Sequence, residues 1–128
     1  MRALLDTHTL IWWLSQDSAL PVSARRIIAD MRNTLIVSAA SAWEISMKYN
    51  LGKLPGAGSL VSDLGAQMER EGFELLSISA EHAIRAGLLP GPHRDPFDRM
   101  LIAQAQSENM PIVSNERAFD AYGVRRLW

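Results

Sequence analysis

Arg2-Ala-Leu-Leu-Asp-Thr-His8 opens the most informative stretch of the chain. Apolar residues follow Arg2 as far as Leu5, the run stops at an acid, Asp6, and a helical pattern continues from Thr7 through Ser15. So short an aliphatic run, bounded by a polar residue, predicts a buried strand feeding directly into a helix. The pattern recurs along the chain. Pro21 opens a second helix with Val22, Ile27, Ile28 and Met31 among its apolar positions. Leu35-Ile-Val-Ser38 reads as a second strand, and Ser38 or Ser41 suits the cap of a helix carrying Trp43, Glu44 and Met47 and ending near Gly52. Pro55-Gly56 marks a loop, and Leu60, Leu64 and Met68 give a helix from Leu60 to Arg70.

Further on, Phe73 to Ile78 is a third strand candidate and Ala80 to Leu88 a short helix ended by Pro90-Gly91-Pro92. Pro96 starts a helix that runs to about Ser107, Pro111-Ile-Val-Ser114 is a fourth strand, and Val124 to Leu127 adds a fifth. Strands alternating with helices predict an α/β fold, a parallel sheet of about four to five strands with helices on both faces. With 128 residues and no linker, repeat or low-complexity tract, residues 1–128 form a single domain.

In such sheets ligands bind beyond the carboxyl ends of the strands, and that rule makes the acids informative. Asp6 either caps the helix that starts at Thr7 or points into the crevice. Glu44 has an ion-pair partner four residues on in Lys48, yet it shares the apolar stripe of Ala40 and Met47, where a carboxylate is costly without a cation or donors. In Asp95-Pro-Phe-Asp-Arg99, Asp95 suits a helix cap and Pro96 the first turn, which leaves Asp98, aligned with Ile102 and Ala105, as the working acid. Arg99 either contacts phosphate or pairs with Asp95. Glu116 follows the fourth strand and either favours the first turn of a helix capped by Ser114 or Asn115 or joins the other acids; Asp120 is expected in solvent. Carboxylates gathered at one edge would repel, and a divalent cation is the simplest remedy.

Composition narrows the chemistry. The chain is 48% hydrophobic and 21% charged, as for a folded globular protein. It has no cysteine, so disulfides and thiolate metal sites are excluded; oxygen ligands suit Mg²⁺ or Mn²⁺. His8, His82 and His93 lack the close helical spacing of a zinc motif, although His93 and Arg94 stand near enough to Asp95 to reach substrate. The net charge of −1 argues against a passive polyanion binder. Asp6 and His8 interrupt the only leader-like run, so a cytoplasmic protein with no membrane contact is expected. Trp12 and Trp13 read as core or interface residues.

The same residues resemble the PIN-domain ribonucleases, specifically the VapC-type toxins of toxin–antitoxin pairs. The resemblance covers nearly the whole chain through Leu4-Leu-Asp-Thr-His-Thr-Leu-Ile-Trp-Trp-Leu14, Ser38-Ala-Ala-Ser-Ala-Trp-Glu-Ile45, Asp95-Pro-Phe-Asp-Arg-Met-Leu-Ile-Ala-Gln104, Ile112-Val-Ser-Asn-Glu-Arg-Ala-Phe119 and Tyr122-Gly-Val124. It implies a PIN-like fold and an endoribonuclease dependent on Mg²⁺ or Mn²⁺, with acidic residues at Asp6, Glu44, Asp98 and Glu116 and small hydroxyls at Thr7 and Ser114 lining the pocket. Glu116 departs from the pattern, in which this position is usually Asp. The resemblance further implies a homodimer and a cognate antitoxin whose tail covers the site. No protein nucleophile is expected, since no Cys and no evident Ser–His pair is present. A fold with a nucleophilic Asp would want a second acid two residues after Asp6, where His8 stands; a receiver domain would want an acidic pair before the first helix. The reading from another class is a non-catalytic RNA-binding or regulatory module that keeps the fold.

Overall fold

The computed structural model describes all 128 residues. Five strands, β1 (Arg2–Leu5), β2 (Thr34–Ser38), β3 (Glu74–Leu76), β4 (Ile112–Val113) and β5 (Arg126–Leu127), form one sheet in the order β3-β2-β1-β4-β5. Every pairing is parallel, with Leu4 opposite Ile36 on one side and Ile112 on the other. The helices are α1 (Thr7–Leu14), α2 (Val22–Ala29), α3 (Ala39–Asn50), α4 (Gly58–Ser62), α5 (Leu64–Glu71), α6 (Ala80–Leu88) and α7 (Pro96–Ser107), with 3-10 turns at Pro55–Ala57 and Arg117–Tyr122. No helix is long and apolar enough to cross a membrane.

The aliphatic runs of β1, β2 and β4 follow from burial on both sheet faces, whereas the edge strands β3 and β5 are more exposed. Side chains alternate across the sheet, so Ala3, Leu5, Leu35, Val37 and Val113 join Leu10, Ala24, Ile45 and Met68 in one core. Leu4, Ile36 and Ile112 point the other way, into a core with Leu101, Ile102, Ala105 and Phe119. A one-residue slip in any of these strands would exchange the two sets.

Three expectations need correction. The Leu60 to Arg70 helix is two helices, because Asp63 leaves the helical region and caps α5 by accepting from the Ala66 amide. Val22 and Met31 are exposed, so the core stripe of α2 is Ala24 and Ile28. The segment after β4 is a 3-10 turn whose cap is Glu116 itself, not Ser114 or Asn115.

Chain direction reverses its sheet-order progress at β1: β2 and β3 lie to one side, β4 and β5 to the other. The connections that leave β1 and β4 therefore diverge, and a crevice opens beyond their carboxyl ends. Asp6 directly follows β1, and Ser114 directly follows β4.

Candidate active site

That crevice is a cavity of about 350 Å³ lined by Asp6, Thr7, Glu44, Asp98 and Glu116, together with Asp95, His8 and Lys48. Four acids expected from the sequence thus arrive from four separate segments. A larger surface depression of about 710 Å³ lies between α6 and α7, where Glu81 is its single carboxylate, so size does not identify the site; convergence does.

Asp6 is buried and sits at the N-cap position of α1 without a side-chain capping bond. The capping alternative is therefore not realised. Its Oδ2 accepts from the Ser114 hydroxyl at 2.5 Å and faces Nδ1 of His8 at 3.3 Å. Burial pushes its pKa up; His8, the Ser114 hydroxyl and the Thr7 amide oppose this, and the charge of Glu44 adds to it. The fully buried Ser114 also accepts from the Glu116 amide at 2.9 Å, so one hydroxyl links the segments that carry two of the acids. Ser114 does not line the cavity but orients what does. Thr7 pairs with the Ser41 hydroxyl at 2.8 Å, tying α1 to α3 beneath the crevice.

Glu44 is buried on the face of α3 that carries Ala40, Ser41 and Ile45, a helix capped by Ser38, whose hydroxyl accepts from the Ala40 amide. Its Oε2 lies 2.6 Å from Nζ of Lys48. The ion pair read from the spacing exists, but inside the cavity. Lys48 holds its proton more firmly than usual, chiefly through the bond to Glu44, with Asp95 and Asp98 adding their charges.

Asp98 lies in the first turn of α7, where Asp95 caps by accepting from the amides of Phe97 and Asp98. Burial, then the charge of Asp6, raises the Asp98 pKa to about 6, against the bond from His93. Nε2 of His93 sits 2.9 Å from Asp98 Oδ2. Glu116 turns one oxygen to the Ala118 amide, capping its own 3-10 turn.

Arg99 is not in this cavity. Its guanidinium donates to three backbone carbonyls, those of Ala86, Leu89 and His93, and it makes no pair with Asp95. It closes the carboxyl end of α6 and holds the 89–93 loop that presents His93. Gly91 in that loop has φ +91, and a Cβ there would stand 2.9 Å from the Tyr122 hydroxyl, which itself accepts from the His93 amide. Gly91→Ala is therefore expected to lower the thermal midpoint, with a cost of about 1–2 kcal/mol from the left-handed backbone alone. An unchanged midpoint would show that the loop is not anchored in this way.

Sequence reasoning gave His8 and Asn115 no part in the site and read Lys48 only as the ion-pair partner of Glu44. His8 bridges Asp6 and Asn115, its Nε2 lying 2.7 Å from the Asn115 Oδ1, and packs edge-on against Trp12. Its place two residues after Asp6 was the available signal, but a search for zinc spacing discards it. Asp120 is in solvent, paired with Arg126, as expected.

As the side chains stand, no three of these groups converge on one point in the manner of a formed metal centre. Each acid is satisfied internally: Asp6 by Ser114, Glu44 by Lys48, Asp98 by His93, Glu116 by a backbone amide. The donor set is nonetheless that of a hard cation, and the raised pKa values of Asp6 and Asp98 reflect negative charge held out of water and close together.

Comparison with known proteins agrees with the architecture. The family model for the PIN domain matches residues 3–124. Ribonuclease VapC16 of Mycobacterium tuberculosis is 45% identical over 58 residues, a match spanning 45% of this chain and 41% of that protein. The VapBC-1 structure from nontypeable Haemophilus influenzae superposes with a TM-score of 0.67 at 14% identity, over 98% of this chain and 96% of that one. VapBC2 from Rickettsia felis, bound to a DNA fragment from its promoter, gives 0.63 at 19% identity, over 98% and 97%. At these identities the structures speak for the fold. An acid directly after β1 at the switch point, four more acids lining the same cavity, and a family match over almost the entire chain lead to one assignment: this chain belongs to the PIN domain family.

Proposed function

We propose that the chain is the toxin of a toxin–antitoxin pair, an endoribonuclease that hydrolyses RNA phosphodiester bonds with Mg²⁺ or Mn²⁺ held by Asp6, Asp98, Glu44 and Glu116. The observation that carries this reading is the convergence of the four carboxylates, from separate segments, in one cavity at the switch point of the sheet. The bound cation would supply Lewis acidity to activate water and offset charge on the phosphate. Asp6 and Asp98 would be its principal ligands, and Ser114 fixes the orientation of Asp6 through its bond to Oδ2. Glu44 and Glu116 complete the site directly or through water. Thr7 lines the pocket floor, and His93 steadies Asp98.

The chain acts as a cytoplasmic homodimer held silent by a cognate antitoxin whose tail covers the cavity. A VapBC structure from Salmonella typhimurium and a FitAB structure that share its fold are bound to DNA, and a net charge of −1 leaves DNA contact to the partner. The capping bond of Glu116 gives the non-catalytic module its one specific support, since a Glu engaged there is less free to ligate.

Cleavage of a total RNA pool by antitoxin-free protein tests the two readings. Turnover is expected with Mn²⁺ or Mg²⁺, none in EDTA, and recovery on adding the metal back. RNA binding without turnover in any metal would favour the module; turnover that survives EDTA would remove the metal from the mechanism.

A further inference from the structure

Lys48 contributes the one ammonium or guanidinium among the residues lining the acidic cavity. Its Nζ lies 2.6 Å from Glu44 Oε2, and its side chain is 41% exposed, whereas Glu44 is nearly enclosed at 9%. The carboxylate is thus fixed by its helix and surroundings, while the ammonium sits on a flexible stem open to solvent. We propose that Lys48 is a built-in counter-cation that competes with the divalent metal for Glu44, so that metal entry displaces the ammonium from that carboxylate. This rests on the metal-site reading above.

The physical argument concerns two cations and one acid. An oxygen already bonded to a full positive charge is a poor ligand, and a divalent ion nearby would repel the ammonium across a few ångströms of weakly screened space. By linkage, whatever Lys48 costs the metal, the metal costs the Lys48–Glu44 pair. Removing the ammonium should therefore have two opposite effects. The metal-free protein loses the positive charge that offsets Glu44, Asp95 and Asp98 and becomes less stable; the metal loses a competitor and binds more tightly. A purely structural ion pair would lower stability with or without metal and leave affinity alone.

Calorimetric titration of Mn²⁺ into wild type, Lys48→Met and Lys48→Arg, with melts in EDTA and in saturating Mn²⁺, separates these cases. Lys48→Met is expected to bind Mn²⁺ about ten-fold more tightly, to melt lower than wild type in EDTA, and to recover that deficit in Mn²⁺. Lys48→Arg keeps the charge and should stay within about two-fold of wild type. If wild type binds Mn²⁺ and Lys48→Met binds it equally or more weakly, the Lys48 proposal falls and the metal site stands. If neither protein binds Mn²⁺, the metal-site reading falls and takes this proposal with it.

Discussion

Asp98→Asn is expected to reduce metal-dependent RNA cleavage by about a thousand-fold or more while making the metal-free protein more stable. On the proposed metal-site reading, the activity loss follows from replacing an anionic ligand with a neutral amide. The stability gain follows from linkage. The Asp98 pKa is raised from 3.8 to about 6 in the folded chain, so the unfolded chain ionises first. Between those values rising pH favours the unfolded state, and above about 6 the penalty is constant. An Asn bears no such penalty and still offers His93 an acceptor. In EDTA the melting curves of wild type and variant should coincide near pH 4 and separate by pH 7, by about 1–2 kcal/mol once solvent screening is allowed for. A variant that melts like wild type at both pH values would mean that Asp98 is well solvated. Retained cleavage would end the proposed role of this acid.

Arg99→Leu is expected to cost about 3–5 kcal/mol in urea unfolding, the largest stability effect of any single polar substitution considered for this chain. Three carbonyls lose a charged donor at once, and the carboxyl end of α6 loses its closure. Arg99→Lys should recover less than half, because one ammonium does not reach the three positions spanned by a planar guanidinium. If Arg99 instead served to grip phosphate, the Lys variant would restore cleavage and neither substitution would disturb stability.

Those two neighbours show where sequence reasoning succeeds and where it stops. Asp98 was legible because its spacing to Ile102 and Ala105 fixes which side of α7 it occupies, and α7 itself begins and ends where Pro96 and Ser107 placed it. Arg99 was not, because its partners are carbonyls, and every residue has one. Sequence spacing carries no record of which backbone oxygens, 10 or 13 residues away along the chain, come within reach of the guanidinium. The strands were legible for a similar reason to Asp98: double-sided burial leaves an aliphatic run that few other environments require. Their ends were not, since parallel pairing stops wherever the neighbour turns away, and β4 keeps only Ile112 and Val113. Lys48 was seen but placed in the wrong medium. Its spacing from Glu44 is that of a solvent-exposed pair, and only the fold reveals that the pair faces a cavity shared with four other acids.

The bond between Ser114 and Asp6 joins residues 108 positions apart, and β1 stands in the sheet between a strand that follows it closely and one that follows it last but one. While the chain emerges from the ribosome, β1 can pair with β2 early, but its other edge waits for β4. Until then Asp6 has no hydroxyl to orient it, and Glu116 has not been made. Contacts of such long sequence separation form late and slowly. A site built this way stays incomplete on any nascent chain that stops short of β4: Asp6, Glu44 and Asp98 are made first, and neither Glu116 nor the hydroxyl that orients Asp6 yet exists to join them.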